Sequence, residues 1–237
     1  MDKLIFDRGL VPSRERAQAL IMAGNVLINE IPAKKSGQLV DSEVKIRIIG
    51  QDHPYVGRGG VKLAHALKEF KIDVTGKTCI DVGASTGGFT DCLLQNGAAK
   101  VYAIDVGYNQ LDWKLRNDPR VVVMEKRHIN SVEVSECGGA EVVVVDVSFI
   151  SLIKVFPYID RIIGKGTIVI ALIKPQFEVG RENIAKGGIV RDEGAREDSV
   201  IKVCHAAENI GWAKRGITTS PITGADGNVE FLALFAK

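Results

Sequence analysis

The sequence predicts a mainly parallel α/β domain of the Rossmann-like class, preceded by a small α+β module. Three observations carry this. Apolar runs at 78–82, 100–104, 120–124, 141–147 and 167–173 recur with helical patterns between most pairs, the rhythm of a parallel sheet covered by helices. The first of these runs leads into a glycine-rich turn and then a helical stretch. Residues 50 to 60, with four glycines, one proline and no apolar period, read as a connection that separates this pattern from the N-terminal part.

Taken in order, Leu4, Ile5 and Leu10 begin an apolar face, and Pro12-Ser13 supplies a break and an N-cap for a helix from Arg14. Gly24 ends that helix. Val26-Leu27-Ile28 reads as a strand, Asn29-Glu30 as a turn, and Val44, Ile46 and Ile48 alternate with charged residues as a half-exposed strand does. The expected division is 1–50 for the N-terminal domain, 51–60 for the linker and 61–237 for the larger domain. Val61, Leu63, Ala64, Leu67 and Phe70 form a helical face at its start. Its end differs from the parallel rhythm: strand candidates at 216–222 and 228–236 flank the turn-rich Thr223-Gly224-Ala225-Asp226-Gly227, which favours an antiparallel pair.

A chain of 237 residues has room for one full α/β domain and a small accessory one. Hydrophobic residues at 46% and charged residues at 25% exclude a disordered or fibrous chain. Asp105, Asp146 and Lys174 cut the apolar runs well short of the roughly 18 uncharged residues of a membrane span. Acids among the first residues and the lack of a long apolar segment leave no secretory signal, so a soluble, cytoplasmic protein without a membrane partner is expected. Cys79, Cys92, Cys137 and Cys204 have no C-x-x-C spacing and no nearby histidine pattern, which removes the zinc and redox readings and leaves buried thiols. The net charge of +2 carries no global nucleic-acid argument, but residues 1 to 62 hold ten Lys and Arg against seven Asp and Glu. The basic excess lies in the first quarter of the chain.

The glycine-rich turn reads Asp81-Val82-Gly83-Ala84-Ser85-Thr86-Gly87-Gly88-Phe89. A strand, such a turn and a helix place backbone N–H groups and a helix N-terminus at the carboxyl edge of the sheet, where folds of this type bind ligands. Asp105, 22 residues after Gly83, ends the next strand with a carboxylate able to accept hydrogen bonds from a ribose diol. Ala84 and Ser85 after the first glycine break the G-x-G-x-x-G pattern, so a nicotinamide cofactor is disfavoured. The spelling is typical of methyltransferases, whose cofactor carries a sulfonium and a carboxylate instead of a pyrophosphate. Phe89 fits a core anchor better than an adenine platform. Asp146, Lys174 and Glu230 interrupt or adjoin strand ends, and ionised groups there are costly to bury unpaired. Three of them on adjoining strands point to a site more than to three surface caps.

At this point the chain resembles the TlyA or hemolysin A-like ribosomal RNA 2′-O-methyltransferases, which join an S4 RNA-binding domain to an FtsJ-like methyltransferase domain. The resemblance covers nearly the whole chain. It rests on Ser13-Arg14-Glu15-Arg16-Ala17, Gly24-Asn25-Val26-Leu27-Ile28-Asn29, Arg58-Gly59-Gly60-Val61-Lys62-Leu63, the glycine-rich loop, Asp105-Val106-Gly107-Tyr108 and Gln110-Leu111-Asp112-Trp113. It continues through Asp146-Val147-Ser148-Phe149-Ile150-Ser151-Leu152, Lys174-Pro175-Gln176-Phe177-Glu178, Lys186-Gly187-Gly188 and Gly227-Asn228-Val229-Glu230-Phe231.

The resemblance implies a seven-stranded sheet with an antiparallel last strand, and a catalytic Lys-Asp-Lys-Glu tetrad at Lys62, Asp146, Lys174 and Glu230. It implies S-adenosyl-L-methionine as cofactor, held by Gly83, Ala84, Ser85, Thr86, Gly87, Gly88, Phe89, Asp105 and Asp146, with Glu125-Lys126-Arg127 a further candidate on the adenine side. No metal is required. The expected substrate is a cytidine 2′-hydroxyl in ribosomal RNA of a ribosomal subunit, with the short N-terminal lead favouring the large one. Arg14, Arg16, Lys34, Lys35 and Arg58 are the expected RNA contacts, able to engage phosphates and set orientation without reading sequence. Tyr55 either stacks on a base or packs. No oligomeric state follows.

The chemistry accounts for the grouping. A ribose hydroxyl is a poor nucleophile until it loses its proton, so the enzyme has to align an in-line displacement and help that proton leave. Neighbouring charges decide whether a lysine there acts as proton acceptor or as an electrostatic guide. The expected roles are Lys174 as acceptor or guide of the 2′-oxygen, Asp146 as its orienting partner, and Lys62 and Glu230 as positioning groups. The rival readings are a non-catalytic ribosome-binding or assembly factor and a membrane-active hemolysin; the intact tetrad and loop weigh against the first, and the absence of a signal and a span against the second.

Overall fold

Residues 1–11, 13–22, 24–33, 35–48, 53–224 and 226–237 are described by a computed structural model. Pro12, Lys34, the 50–52 part of the expected connection and Ala225 of the terminal turn lie outside the described residues. The chain divides into two units, Met1–Pro54 and Tyr55–Lys237.

In the first unit, helices α1 (Asp2–Asp7) and α2 (Arg14–Met22) accompany an antiparallel sheet of β1 (Val26–Ile28), β2 (Ile31–Pro32) and β3 (Ile46–Ile48) in the order β2-β1-β3. Ser13 caps α2, its Oγ accepting from the Arg16 N–H at 3.2 Å. Ile5, Val11, Ala17, Leu20, Ile21 and Val26 form one core. Strand β2 is an addition to the sequence reading. Asn29 and Glu30 both take positive φ, 47° and 68°, which turns Ile31 and Pro32 back onto β1. Two exposed residues hold no alternation by which a strand can be found.

The second unit runs α3 (Gly59–Glu69), β4 (Thr78–Val82), α4 (Gly88–Gln95), β5 (Lys100–Ile104), α5 (Trp113–Arg116), β6 (Val121–Met124), α6 (Val134–Cys137), β7 (Val142–Val145) and α7 (Leu152–Ile162). It continues with β8 (Ile168–Ile173), α8 (Pro175–Glu178), α9 (Glu193–Asn209), β9 (Ala213–Thr219) and β10 (Phe231–Ala236). The sheet order is β6-β5-β4-β7-β8-β10-β9, parallel from β6 to β8, with β10 antiparallel to both of its neighbours. The seven-stranded mixed sheet is the one expected.

Local sequence explains the layers. Val142 to Val145 are buried on both faces, as a central parallel strand requires. Alternation along β4 sends Ile80 and Val82 to one core, with Val143, Phe156, Trp212 and Phe235, and Cys79 to the other, with Leu63, Phe89, Leu93 and Leu172. Leu152, Val155, Phe156, Ile159 and Ile162 give α7 a single apolar stripe against the first of these cores. All four cysteines are buried and free.

Several boundaries differ from the sequence reading: β7 covers 142–145 and leaves Asp146 just beyond it, and β3 excludes Val44. Helix α3 begins at Gly59, because the Gly60 and Val61 N–H groups already bond to the carbonyls of Gly57 and Arg58. The terminal strands are displaced to 213–219 and 231–236, so Glu230 precedes its strand and does not lie within it. Among the described residues no helix is long and apolar enough to cross a membrane.

Candidate active site

The glycine-rich loop joins β4 to α4 at the carboxyl edge of the parallel strands. Gly83 has φ +88°, and a Cβ there would stand 2.4 Å from the Asp146 carbonyl oxygen, so only glycine fits where β4 passes the end of β7. Gly88 lies where the N-termini of α3 and α4 meet: a Cβ on it would be 3.0 Å from the Gly60 nitrogen and 3.2 Å from the Gly59 Cα. Ser85 and Thr86 are exposed at the loop tip, whereas Phe89 is buried in the core against Gly59, the anchor position expected.

Two clefts open along this edge. One of about 210 Å³ is lined by Gly59, Ala84, Thr86, Phe89, Asp146 and Lys174, among others. The second, of about 570 Å³, includes Gly83, Ser85, Asp105, Arg127, Asp146 and Phe149 in its lining. Gly83, Ser85, Asp146 and Ser148 line both, so the two are continuous through these residues. The Asp105 carboxylate accepts from the Ser85 N–H at 2.7 Å and from the Gly107 N–H at 2.6 Å, which fixes it on the wall of the larger cleft.

The four charged residues form two ion pairs at the same edge. Lys174 Nζ stands 2.7 Å from Asp146 Oδ1 and donates to Ser148 Oγ at 2.8 Å. Lys62, on the first turns of α3, pairs with Glu230, and both side chains are buried. Strand pairing explains the grouping. Phe231 faces Ile173 across the antiparallel β10–β8 ladder, so Glu230 and Lys174 are the next residues on that register. Asp146 follows Val145 at the end of β7, which neighbours β8. Gly59 brings α3 to the group, with its Cβ position 3.7 Å from Asp146 Oδ2.

Asp81 lies beneath the loop and is fully buried. Thr90 Oγ1 donates to its Oδ2 at 2.7 Å, while Oδ1 has no hydrogen-bond partner among the described residues. Burial, partly offset by the Thr90 hydrogen bond and reinforced by the charge of Asp146, pushes its pKa up to about 7.

The other expected residues are distributed as follows. Glu125 is occupied by the Gln110 N–H at 3.1 Å and by Arg116 at 2.6 Å; burial pushes its carboxyl up, but the backbone at Asn109, then Arg116 and the Leu111 and Gln110 N–H groups together hold it below the usual range. Lys126 sits over the Tyr108 ring at 4.0 Å, and Arg127 lines the larger cleft while bonded to Glu136 at 2.8 Å. In the N-terminal unit Arg14 is exposed but paired with Asp2 at 3.0 Å, Arg16 is half-buried, and Lys35 is exposed; Lys34 lies outside the described residues. Arg58 is exposed and donates to the Thr223 carbonyl at 2.8 Å. Tyr55 packs, its ring filling the space left by the absent side chain of Gly60.

Ser148, Asp81 and Asn228 were not singled out as site residues by the sequence. Ser148 had a usable signal, two positions after Asp146. Asn228 is buried at 1% exposure and bonds to a segment 38 residues away, a relation that no local pattern records.

Strand order and the position of the loop define the class as the methyltransferase α/β fold. An S-adenosylmethionine-dependent methyltransferase from Mesorhizobium loti shares that fold with a TM-score of 0.53 at 13% identity, covering 76% of this chain and 100% of that one. The model of the FtsJ-like methyltransferase family matches residues 55–237, and that of the S4 domain matches residues 1–46. The 16S/23S rRNA (cytidine-2′-O)-methyltransferase TlyA of Mycobacterium tuberculosis is 43% identical over 98% of this chain and 87% of its own length. The 23S rRNA (cytidine-2′-O)-methyltransferase TlyA of Campylobacter jejuni is 39% identical over 77% of this chain and 71% of its own. A solved Streptococcus thermophilus structure, described provisionally as a hemolysin, is 43% identical with a TM-score of 0.79 and covers 100% of this chain and 87% of that one. The chain belongs to the TlyA and hemolysin A family of FtsJ-like methyltransferases carrying an S4 domain.

Proposed function

We propose that this protein is a ribosomal RNA methyltransferase that transfers a methyl group from S-adenosyl-L-methionine to a cytidine ribose 2′-hydroxyl. The observation that carries the reading is the Lys174–Asp146 pair, 2.7 Å apart, on the wall of a cleft shared with the glycine-rich loop. The residues fit the cofactor. The larger cleft, at about 570 Å³, is within the range of small-molecule sites. Asp105 offers a fixed carboxylate to a ribose diol, and the 83–89 loop with Asp146 forms the wall beside it. When bound, the cofactor supplies an electrophilic methyl group.

The residues of the chain supply orientation and charge. Of the three donors of the Lys174 ammonium, Ser148 takes one, and the carboxylate of Asp146 stands beside it as the counter-charge, which leaves donor capacity for the 2′-oxygen of the acceptor. Lys174 steers that oxygen and stabilises the charge that develops as its proton passes to solvent, while Asp146 holds the lysine in place. Lys62 and Glu230, each neutralised by the other, fix α3 and β10 around the acceptor position. Residues 1–50 act as the RNA-docking domain through Arg14, Arg16, Lys34 and Lys35, with Arg58 contributing from the 51–60 connection, and residues 61–237 carry out the transfer. The substrate is large-subunit RNA, since 23S RNA is common to the names of both TlyA relatives. The protein acts in the cytoplasm.

Incubation with labelled S-adenosylmethionine and undermethylated ribosomal subunits tests the reading. Label is expected at a cytidine ribose of the large subunit, and Lys174→Ala is expected to abolish transfer with cofactor affinity nearly intact. A wild-type chain that binds subunits without transferring label would be a docking factor. Lysis of cells by the purified protein would instead support the hemolysin reading.

A further inference from the structure

The segment between α8 and α9 returns to the same sheet edge and ends in a narrow hairpin whose tip is Lys186-Gly187-Gly188. Ala185 and Ile189 form an isolated antiparallel bridge, with the Ala185 N–H bonded to the Ile189 carbonyl at 2.9 Å. The Gly188 N–H closes the turn on the Ala185 carbonyl at 3.1 Å. Gly187 and Gly188 take φ of +88° and +77°, and no atom lies within 4 Å of a Cβ placed on either. Their glycine character therefore serves the sharpness of the turn and not close packing. Lys186 is exposed and has no hydrogen bond or ion pair with the described residues.

The base of this free tip is held firmly. Asn228, a buried polar side chain, donates from Nδ2 to the Gly188 carbonyl at 2.9 Å and accepts at Oδ1 from the Val190 N–H at 2.9 Å. A side-chain amide thus takes the part of a neighbouring strand. Arg196 binds the other end of the segment, donating to the Val190 and Arg191 carbonyls, each at 2.9 Å. Two residues after Asn228 comes Glu230, the partner of Lys62. The Asn228 carbonyl also receives the Gly224 N–H at 2.8 Å, and the neighbouring Thr223 carbonyl receives Arg58.

We propose that the Lys186 hairpin contacts a phosphate of the ribosomal RNA next to the target ribose, and that Asn228 is a positioning residue that registers this contact to the Lys62–Glu230 pair. Asn228 and Arg196 hold the 188–191 arm, and the Ala185–Ile189 bridge ties the other arm to it; a base restricted in this way lets one ammonium fix the register of a polyanion instead of attracting it diffusely. The inference rests on the proposed rRNA methyltransferase reading.

The test uses the full chain, large ribosomal subunits and labelled S-adenosylmethionine, with subunit binding also measured directly over a range of salt concentrations. Lys186→Ala is expected to weaken subunit binding about fivefold to tenfold and to lower the salt slope by about 0.7 to 1. The loss falls on KM for subunits more than on kcat, and cofactor affinity stays at the wild-type value. Asn228→Ala is expected to lose affinity similarly, and Lys186→Ala added to it costs little more, because the clasp and the tip act as one unit. Unchanged affinity and slope in Lys186→Ala overturn the phosphate contact; strictly additive losses in the double variant overturn the role of Asn228. If Asn228→Ala loses cofactor affinity through misfolding, the exposed Lys186 variant still decides the contact. A wild-type chain that binds subunits without methylating them refutes the enzymatic reading and leaves the binding slopes to judge the hairpin.

Discussion

Lys62 and Glu230 have side-chain exposures of 10% and 3%, so each charge depends on the other for its solvation. Lys62→Met leaves Glu230 buried without its partner and is expected to cost roughly 3 to 5 kcal/mol in urea unfolding. Lys62→Met combined with Glu230→Leu is expected to recover most of that stability without recovering transfer, which separates the fold's need for a matched pair from the reaction's need for charge. Asp81 poses a different problem, a single carboxyl with its pKa pushed up to about 7. A carboxyl that keeps its proton longer in the folded state stabilises fully below its unfolded value of ~3.9. That contribution is lost as pH rises from there through about 7. Asp81→Asn does not titrate, so its unfolding midpoint should improve relative to wild type between about pH 4.5 and about pH 7.5. A difference independent of pH would contradict the burial argument.

At the scale of elements, the site depends on how closely α3 approaches α4. Gly59 and Gly60 face Gly88 with backbone against backbone, and the contacts of a Cβ on Gly88 would all be main-chain atoms that cannot rotate away. Gly88→Ala therefore makes the start of α3 give by a few tenths of an ångström, which disturbs the placement of Lys62 against Glu230. Overpacking of this kind costs typically 1 to 3 kcal/mol, and transfer should fall further than stability alone explains. Urea unfolding and label transfer on the same variant check this; full activity with normal stability would mean that α3 is not held by that contact. The glycines at 59, 60 and 88 were legible as a flexible connection and a cofactor loop. Their mutual packing was not, because the two segments are remote in sequence and meet only when both helices are docked on the sheet.

At the scale of the molecule, the S4 match at 1–46 falls within the first unit, so the proposed RNA docking belongs to a unit distinct from the one that carries the seven-stranded sheet. Arg16→Glu combined with Lys35→Glu is expected to weaken large-subunit binding by tenfold or more at ~0.15 M salt and to flatten its salt dependence. Cofactor affinity should not change, since both side chains belong to the first unit. Equal cofactor and subunit losses in that variant would argue for global damage instead.

By itself the sequence determined the class of the fold, since alternating apolar runs, a glycine-rich turn and charged interruptions are local signals tied to strand and helix periods. Through the family that its ordered motifs resemble, it also offered Lys62, Asp146, Lys174 and Glu230 as the candidate tetrad. Tertiary structure decided how these four combine: strand order and register bring Asp146, Lys174 and Glu230 to one edge, and α3 brings Lys62 there, giving the pairs Lys174–Asp146 and Lys62–Glu230. It likewise decided that Glu125 is occupied by its neighbours, that Tyr55 packs, and that Asn228 clasps a hairpin 38 residues away. Periodicity records which way a side chain faces along its own element. Which partner it meets depends on sheet order and loop closure, and these exist only once the elements have packed.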